Sequence, residues 1–207
     1  MYFCCWFQLN CYGFQKIPVG FTELIHEVEL GVVIGKEGKY ISEEMAMDHV
    51  MGYVLALDMT AKVSDPDKLH YKWLLAKGFD TATPISDFIP KAVVKCEENV
   101  SLQLKVNGHL RQDGNSCDML FKIPQLIAYL SQFFKLEYGD LLLTGTPLGN
   151  LTVKHGDIIE AYMDDLAYIS CRVSKAKNHY NYHPHDDSWN NFFSFCFSHF
   201  LILLHFK

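Results

Sequence analysis

The sequence predicts a single α+β domain in which strands predominate, on three observations. Its central part alternates short runs rich in Val, Ile, Leu and Tyr with turn pairs built from Gly, Asn or Asp, the pattern of strands joined by tight turns. Helix signals are confined to two short segments, one opening at Ser42 and one at Pro124. No strand-helix-strand unit repeats, which disfavours a doubly wound parallel sheet.

The elements follow in chain order. Glu27–Ile34 (EVELGVVI) is β-branched and apolar and closes on Gly35. Ser42, followed by Glu43 and Glu44, reads as an N-cap with acids in the first turn of a helix reaching about His49. Val50–Met59 (VMGYVLALDM) is a second apolar strand with Asp58 at its end. Leu102–Val106 and His109–Gln112 flank Asn107-Gly108, a pair that tolerates positive φ twice and so predicts a hairpin. Pro124 suits the first turn of a helix running to about Phe134, with Leu126, Ile127, Leu130 and Phe134 on one stripe. Tyr138-Gly139-Asp140 turns into strand Leu141–Thr144. Gly156-Asp157 precedes strand Ile158–Met163, which is expected to pair with Ala167–Val173 across Asp164-Asp165.

A chain of 207 residues with 49% hydrophobic and 20% charged side chains is not a disordered protein and has material for a real core. Its net charge of −6 provides no field for nucleic acid, and none is expected as a partner. Composition divides it in three. Residues 1–23 and 174–207 hold 16 of the 29 aromatics and 10 of the 15 Phe, whereas residues 24–173 have an ordinary soluble composition. The expected organisation is an unrelated head over 1–23, one domain over 24–173, and an aromatic, non-native tail over 174–207. The head lacks the basic start and long apolar run of a secretory signal and the Arg-rich pattern of a mitochondrial presequence, so a cytoplasmic location is the default expectation. Phe192–Phe206 in the tail is too short and too interrupted by Ser and His to span a bilayer. It also lacks amphipathic order, so membrane contact is not expected. The seven Cys form no CxxC pair, which argues for a reducing compartment without a zinc site or disulfide framework.

Three places carry residues suited to chemistry. In His26-Glu27-Val28-Glu29-Leu30, the two Glu are two apart and project from one face of a strand. Buried side by side, they would need a proton or a cation between them. A hard divalent ion would answer that and would want a third oxygen ligand, for which Asp58 is the candidate. The same pattern also describes a solvated acidic strand edge, the commoner case for an isolated pair. His26 falls on the opposite strand face, as a packing or supporting group. Lys77 stands among small and apolar residues in Leu75-Ala76-Lys77-Gly78-Phe79, either snorkelling to the surface or facing an oxyanion in a pocket. Thr144-Gly145-Thr146-Pro147-Leu148-Gly149 is either a plain turn or a loop whose N–H groups and hydroxyls receive a carboxylate. It lacks the Gly-Lys-Ser/Thr ending of a P-loop.

HEVELGVVIGK, LALDMTAK, LLAKGF, VNGHLRQDG and DLLLTGTPLG occur in that order at compatible spacing. Together they resemble the fumarylacetoacetate hydrolase family, specifically its small acylpyruvase/oxaloacetate decarboxylase branch, over roughly residues 24–173. The resemblance implies a mixed β-sheet roll that usually dimerises. It also implies a Mg²⁺ or Mn²⁺ site at Glu27, Glu29 and Asp58, and cleavage of C–C bonds next to a 2-oxo acid. Lys77 matches the family lysine that stabilises developing negative charge, Thr146 the loop residue that holds the substrate carboxylate, and Lys62 a position where the branch usually has Arg. Some members of the branch are mitochondrial, which is the alternative location.

The chain departs from the pattern in three ways. Members carry, before the ExE strand, a segment like GRNYxxHxxE whose His and Glu activate the attacking water. Residues 1–23 contain no His, and Glu23 is their one acid. Lys62-Val63-Ser64-Asp65 replaces Arg-Asp-x-Gln, and Lys lacks the planar fork of Arg. The stretch from Asp58 to Lys77 is about two residues short against the family pattern. The expectation is therefore an enzyme with impaired hydrolysis and residual oxaloacetate decarboxylation. The alternative is a catalytically inactive, truncated chain that binds metal or pairs with a full-length subunit.

Overall fold

The computed structural model describes residues 12–62 and 73–176. In chain order the elements are β1 (Tyr12–Ile17), β2 (Glu23–Ile25), β3 (Val28–Ile34), α1 (Glu43–Ala46, extended by a 3-10 turn to His49), β4 (Val50–Leu57), β5 (Thr60–Lys62) and α2 (Trp73–Lys77). There follow β6 (Ile89–Pro90), β7 (Ser101–Val106), β8 (His109–Asn115), α3 (Ile123–Phe133), β9 (Leu141–Leu143), β10 (Thr152–Val153), β11 (Ile158–Met163) and β12 (Ala167–Lys175). They form a five-stranded sheet β1-β12-β11-β7-β8, a four-stranded sheet β6-β4-β3-β9 and a three-stranded sheet β10-β2-β5. All pairings are antiparallel except β1 with β12, so the fold is mixed and mostly β, as the sequence predicts.

β3 and β4 are nearly continuous apolar runs because both of their faces are covered. Val28, Leu30, Val32 and Ile34 alternate with Glu29, Gly31 and Val33, yet of these only Val33 is more than slightly exposed. At Gly31 a Cβ would lie 2.6 Å from Val54 Cγ2 and 2.9 Å from Leu141 Cδ1, so the missing side chain is what lets β4 and β9 flank β3 so closely. The Asn107-Gly108 turn adopts φ +52° and +78°, the mirror-image turn the pair predicts, with Val106 opposite His109. Helix α3 opens with the Lys122 N–H donating to Gln125 Oε1 at 2.9 Å, and it buries Leu126, Ile127 and Leu130. Phe134 does not complete that stripe: the chain turns extended there (φ −120°, ψ 143°) and leaves the ring 41% exposed.

The compositional boundary at residue 23 does not coincide with the edge of the fold. Residues 12–17 pair in parallel with 170–175 along β12, and β2 begins at Glu23 itself. Hydropathy conceals β1 because one pair is reversed, with Gln15 buried and Phe14 59% exposed. Residues 1–11, 63–72 and 177–207 lie outside the described residues, including part of the head, most of the tail and the Val63-Ser64-Asp65 departure. No helix among the described residues is long and apolar enough to cross a membrane.

Three segments pass between the same two sheets. Between β2 and β3 the chain leaves the three-stranded sheet for the four-stranded one at His26-Glu27. Between β4 and β5 it returns at Asp58-Met59, and between β9 and β10 it returns again through residues 144–151. The loops that bear the candidate residues therefore converge on one seam.

Candidate metal centre

The seam fixes Glu27 and Asp58 through their backbones: the Asp58 N–H donates to the Glu27 carbonyl at 2.8 Å. Glu29 follows on β3, opposite Ala56. Carboxylate oxygens of Glu27, Glu29 and Asp58 lie within 4.8 Å of one another, and the residues are only 2%, 2% and 1% exposed. The solvated-edge reading of the Glu pair is thereby overturned, because both residues are buried.

Lys77 closes the cluster. Its Nζ donates to Glu27 Oε2 at 2.7 Å and to Asp58 Oδ2 at 2.6 Å, and the residue is 3% exposed. It arrives there because the chain after α2 runs back along β4. Met59 N–H donates to the Ala82 carbonyl, Leu57 N–H to the Pro84 carbonyl and Ser86 N–H to the Leu55 carbonyl. The snorkelling alternative for Lys77 fails, since the ammonium points inward at two acids. Thr60 Oγ1 donates to Glu27 Oε2 at 3.2 Å, Asn150 Nδ2 to Glu27 Oε1 at 3.0 Å, and the Gly145 N–H to Glu29 Oε2 at 2.7 Å.

Burial, and then the neighbouring Asp58 carboxylate, push the Glu29 carboxyl up to about 8, against a pull from the Gly145 N–H. Without a cation the cluster thus holds a proton. Three carboxylates and one ammonium leave two negative charges when fully ionised, matching one hard divalent cation with oxygen ligands. The donor set fits Mg²⁺ or Mn²⁺. Burial likewise lowers His26 from its ordinary value, against the Gln112 hydrogen bond that raises it.

The loop after β9 is tied to β3 rather than projecting freely. Thr146 Oγ1 donates to the Val28 carbonyl at 2.8 Å and accepts from Gln112 Nε2 at 2.8 Å, while Thr144 Oγ1 donates to the Leu30 carbonyl at 2.9 Å. Lys62, on β5, shares a strand face with Thr60 but is half-exposed and paired with Glu23 at 3.5 Å. Of the residues singled out from sequence, Glu27, Glu29, Asp58 and Lys77 form one cluster, with Thr146 on its adjoining loop and Lys62 outside it. Gln112, Asn150 and Thr60 were not singled out. Gln112 lies inside a recognised motif, but nothing local marks it as the one buried residue of the hairpin's second arm.

A profile of the fumarylacetoacetate (FAA) hydrolase C-terminal domain matches residues 15–174. The mitochondrial oxaloacetate tautomerase FAHD1 of Rattus norvegicus is 45% identical over 163 residues, 78% of this chain and 74% of that protein. The mitochondrial oxaloacetate decarboxylase of Dictyostelium discoideum is 48% identical over 147 residues, 70% of this chain and 67% of that protein. Among solved structures, the fumarylpyruvate hydrolase of Pseudomonas aeruginosa in complex with Mn²⁺ and pyruvate aligns with a TM-score of 0.71 at 30% identity, covering 80% of this chain and 74% of that one. These relatives are enzymes, and the profile spans the folded region from β1 to β12. With the acidic seam, the roll of mixed sheets and this match in agreement, the chain belongs to the fumarylacetoacetate hydrolase family.

Proposed function

We propose that the protein is a divalent-metal-dependent hydrolase/lyase acting at the C–C bond beside a 2-oxo acid, with acylpyruvates and oxaloacetate as substrates. The observation that carries this is the buried Glu27, Glu29 and Asp58 cluster with its deficit of two positive charges. Oxaloacetate tautomerisation, its decarboxylation and acylpyruvate hydrolysis, the chemistries of the relatives, all move charge onto the ketone oxygen of a 2-oxo acid. Glu27, Glu29 and Asp58 hold the ion, Mg²⁺ or Mn²⁺; when bound it supplies a Lewis acid for that charge.

The chain's own groups do the rest. Lys77, against Glu27 and Asp58, keeps those carboxylates oriented and adds positive charge beside the developing anion. Asn150 and the Gly145 N–H hold Glu27 Oε1 and Glu29 Oε2 in place, and Thr60 shares Glu27 Oε2 with Lys77. The Thr146 loop receives the substrate carboxylate, and Lys62 contributes charge at the rim by exchanging Glu23 for it. A homodimer is part of the proposal, supported by the exposed Leu120, Tyr129 and Phe133 on and beside α3, and light scattering checks it. A mitochondrial location is supported by the relatives.

The test is the divalent-ion dependence of oxaloacetate decarboxylation and acetylpyruvate hydrolysis on purified protein, with Glu29→Ala as control. Metal-dependent turnover lost in the variant supports the proposal. Metal binding without turnover supports instead an inactive scaffold, and the absence of both refutes the site.

A further inference from the structure

We propose that Gln112 is a positioning residue that fixes the proton of the Thr146 hydroxyl and, through it, the loop over residues 144–149. The inference rests on the reading of that loop as the receptor for the substrate carboxylate.

Gln112 is fully buried in a strand whose other residues are exposed or half-exposed. Its amide is saturated. Oε1 lies 2.9 Å from His26 Nδ1 and 3.2 Å from the Val28 N–H, and Nε2 lies 2.8 Å from Thr146 Oγ1 and 2.8 Å from the Pro147 carbonyl. Backbone groups settle which end is which. The Val28 N–H can only donate, so it faces the amide oxygen; the Pro147 carbonyl can only accept, so it faces the amide nitrogen. Two consequences follow. His26 must carry its proton on Nδ1, because Oε1 only accepts. The Thr146 hydroxyl receives a hydrogen bond from Gln112 and must pass its own proton to the Val28 carbonyl, 2.8 Å away.

Val28 is thus gripped on both sides, its N–H by Gln112 and its carbonyl by Thr146. It is also the residue between the metal ligands Glu27 and Glu29. One amide therefore joins the carboxylate-receiving loop to the start of β3, where Val28 separates two of the three acidic ligands. With the Thr146 proton committed inward, a substrate carboxylate is met by backbone N–H groups of the loop, and the hydroxyl serves as an anchor.

The test compares Gln112→Glu, Thr146→Val and the double variant, reading KM, kcat and Mn²⁺ affinity, with pyruvate affinity by calorimetry as a readout independent of turnover. Gln112→Glu keeps an acceptor facing Val28 and His26 but removes at least one of the two donors to the loop. The expected result is a rise of about tenfold or more in KM and in the pyruvate dissociation constant, with kcat and Mn²⁺ affinity within about threefold of the parent. The double variant is expected to lose no more than the worse single variant, since both break one linkage. Unchanged KM and pyruvate affinity in Gln112→Glu, additive losses, or a collapse of Mn²⁺ affinity would each overturn the inference. Should Gln112→Glu not fold, Thr146→Ser against Thr146→Val makes the same comparison from the loop side: Ser keeps both contacts and parental affinity, Val loses both. A parent that binds Mn²⁺ and pyruvate but turns over neither substrate refutes the proposed activity while leaving the clamp measurable.

Discussion

The Asp58 N–H donates to the Glu27 carbonyl across 2.8 Å, at the point where β2–β3 and β4–β5 both change sheets. Two acids 31 positions apart are held by backbone geometry alone, before any side chain is placed. That explains how three carboxylates can be packed together despite their repulsion: the sheets impose the arrangement, and Lys77 relieves part of its cost. With all three acids ionised the cluster keeps two negative charges, a balance that one divalent cation would complete.

Glu29→Gln removes one charge from the cluster at nearly constant volume. The metal-free variant is expected to melt at or above the parent at pH 8, because a buried like charge is gone. The rise in melting temperature on adding about 1 mM Mn²⁺, a mass-action effect, should disappear. Differential scanning fluorimetry with and without the ion reads both.

The raised Glu29 carboxyl sets a pH window. Its folded value of about 8 lies above the ordinary 4.5, so folding favours the protonated form. That stabilisation is complete below 4.5 and is lost as pH rises through about 8. In the metal-free protein this group therefore costs stability toward pH 8. An ion must displace the same proton, so Mn²⁺ affinity should climb by roughly tenfold per pH unit, one proton being released, and level off above 8. Calorimetry in two buffers of different ionisation enthalpy counts the proton.

Lys77→Met leaves the acids without their ammonium. Breaking a buried pair of this kind costs about 3–5 kcal/mol, so the metal-free variant should be strongly destabilised. Divalent ion should recover much of the loss, while kcat stays about 100-fold or more below the parent. Urea denaturation with and without Mn²⁺ separates the two effects.

Gly149→Ala should displace the loop over residues 144–149. Gly149 has φ +101°, and a Cβ there would lie 2.0 Å from the Arg111 carbonyl oxygen, next to Gln112. A cost of about 1–3 kcal/mol in stability is expected, with KM rising more than kcat falls. Chemical denaturation and steady-state kinetics check the two parts.

Much of this was legible in the chain. The apolar runs at Glu27–Ile34 and Val50–Met59, the Asn107-Gly108 hairpin and the Pro124 helix all appear close to where their patterns put them, because strand period, turn chemistry and capping act within a few residues. β2, β5 and β10, of two or three residues each, are too short to have a period, and in β1 the pattern is broken by buried Gln15 and exposed Phe14. Asn150 was invisible for a related reason: its partner Glu27 is 123 positions away, and no local feature marks it.

The sequence by itself determined the strand-rich class, the family and the acidic residues that could hold a metal, since these depend on residue type and order. Only the tertiary structure decided that the Glu pair is buried, that Lys77 bridges Glu27 and Asp58, and that Gln112 directs the Thr146 proton. Each of those outcomes is set by which groups share a low-dielectric space. That depends on three segments changing sheets along one seam, a long-range arrangement that no single stretch of the chain encodes.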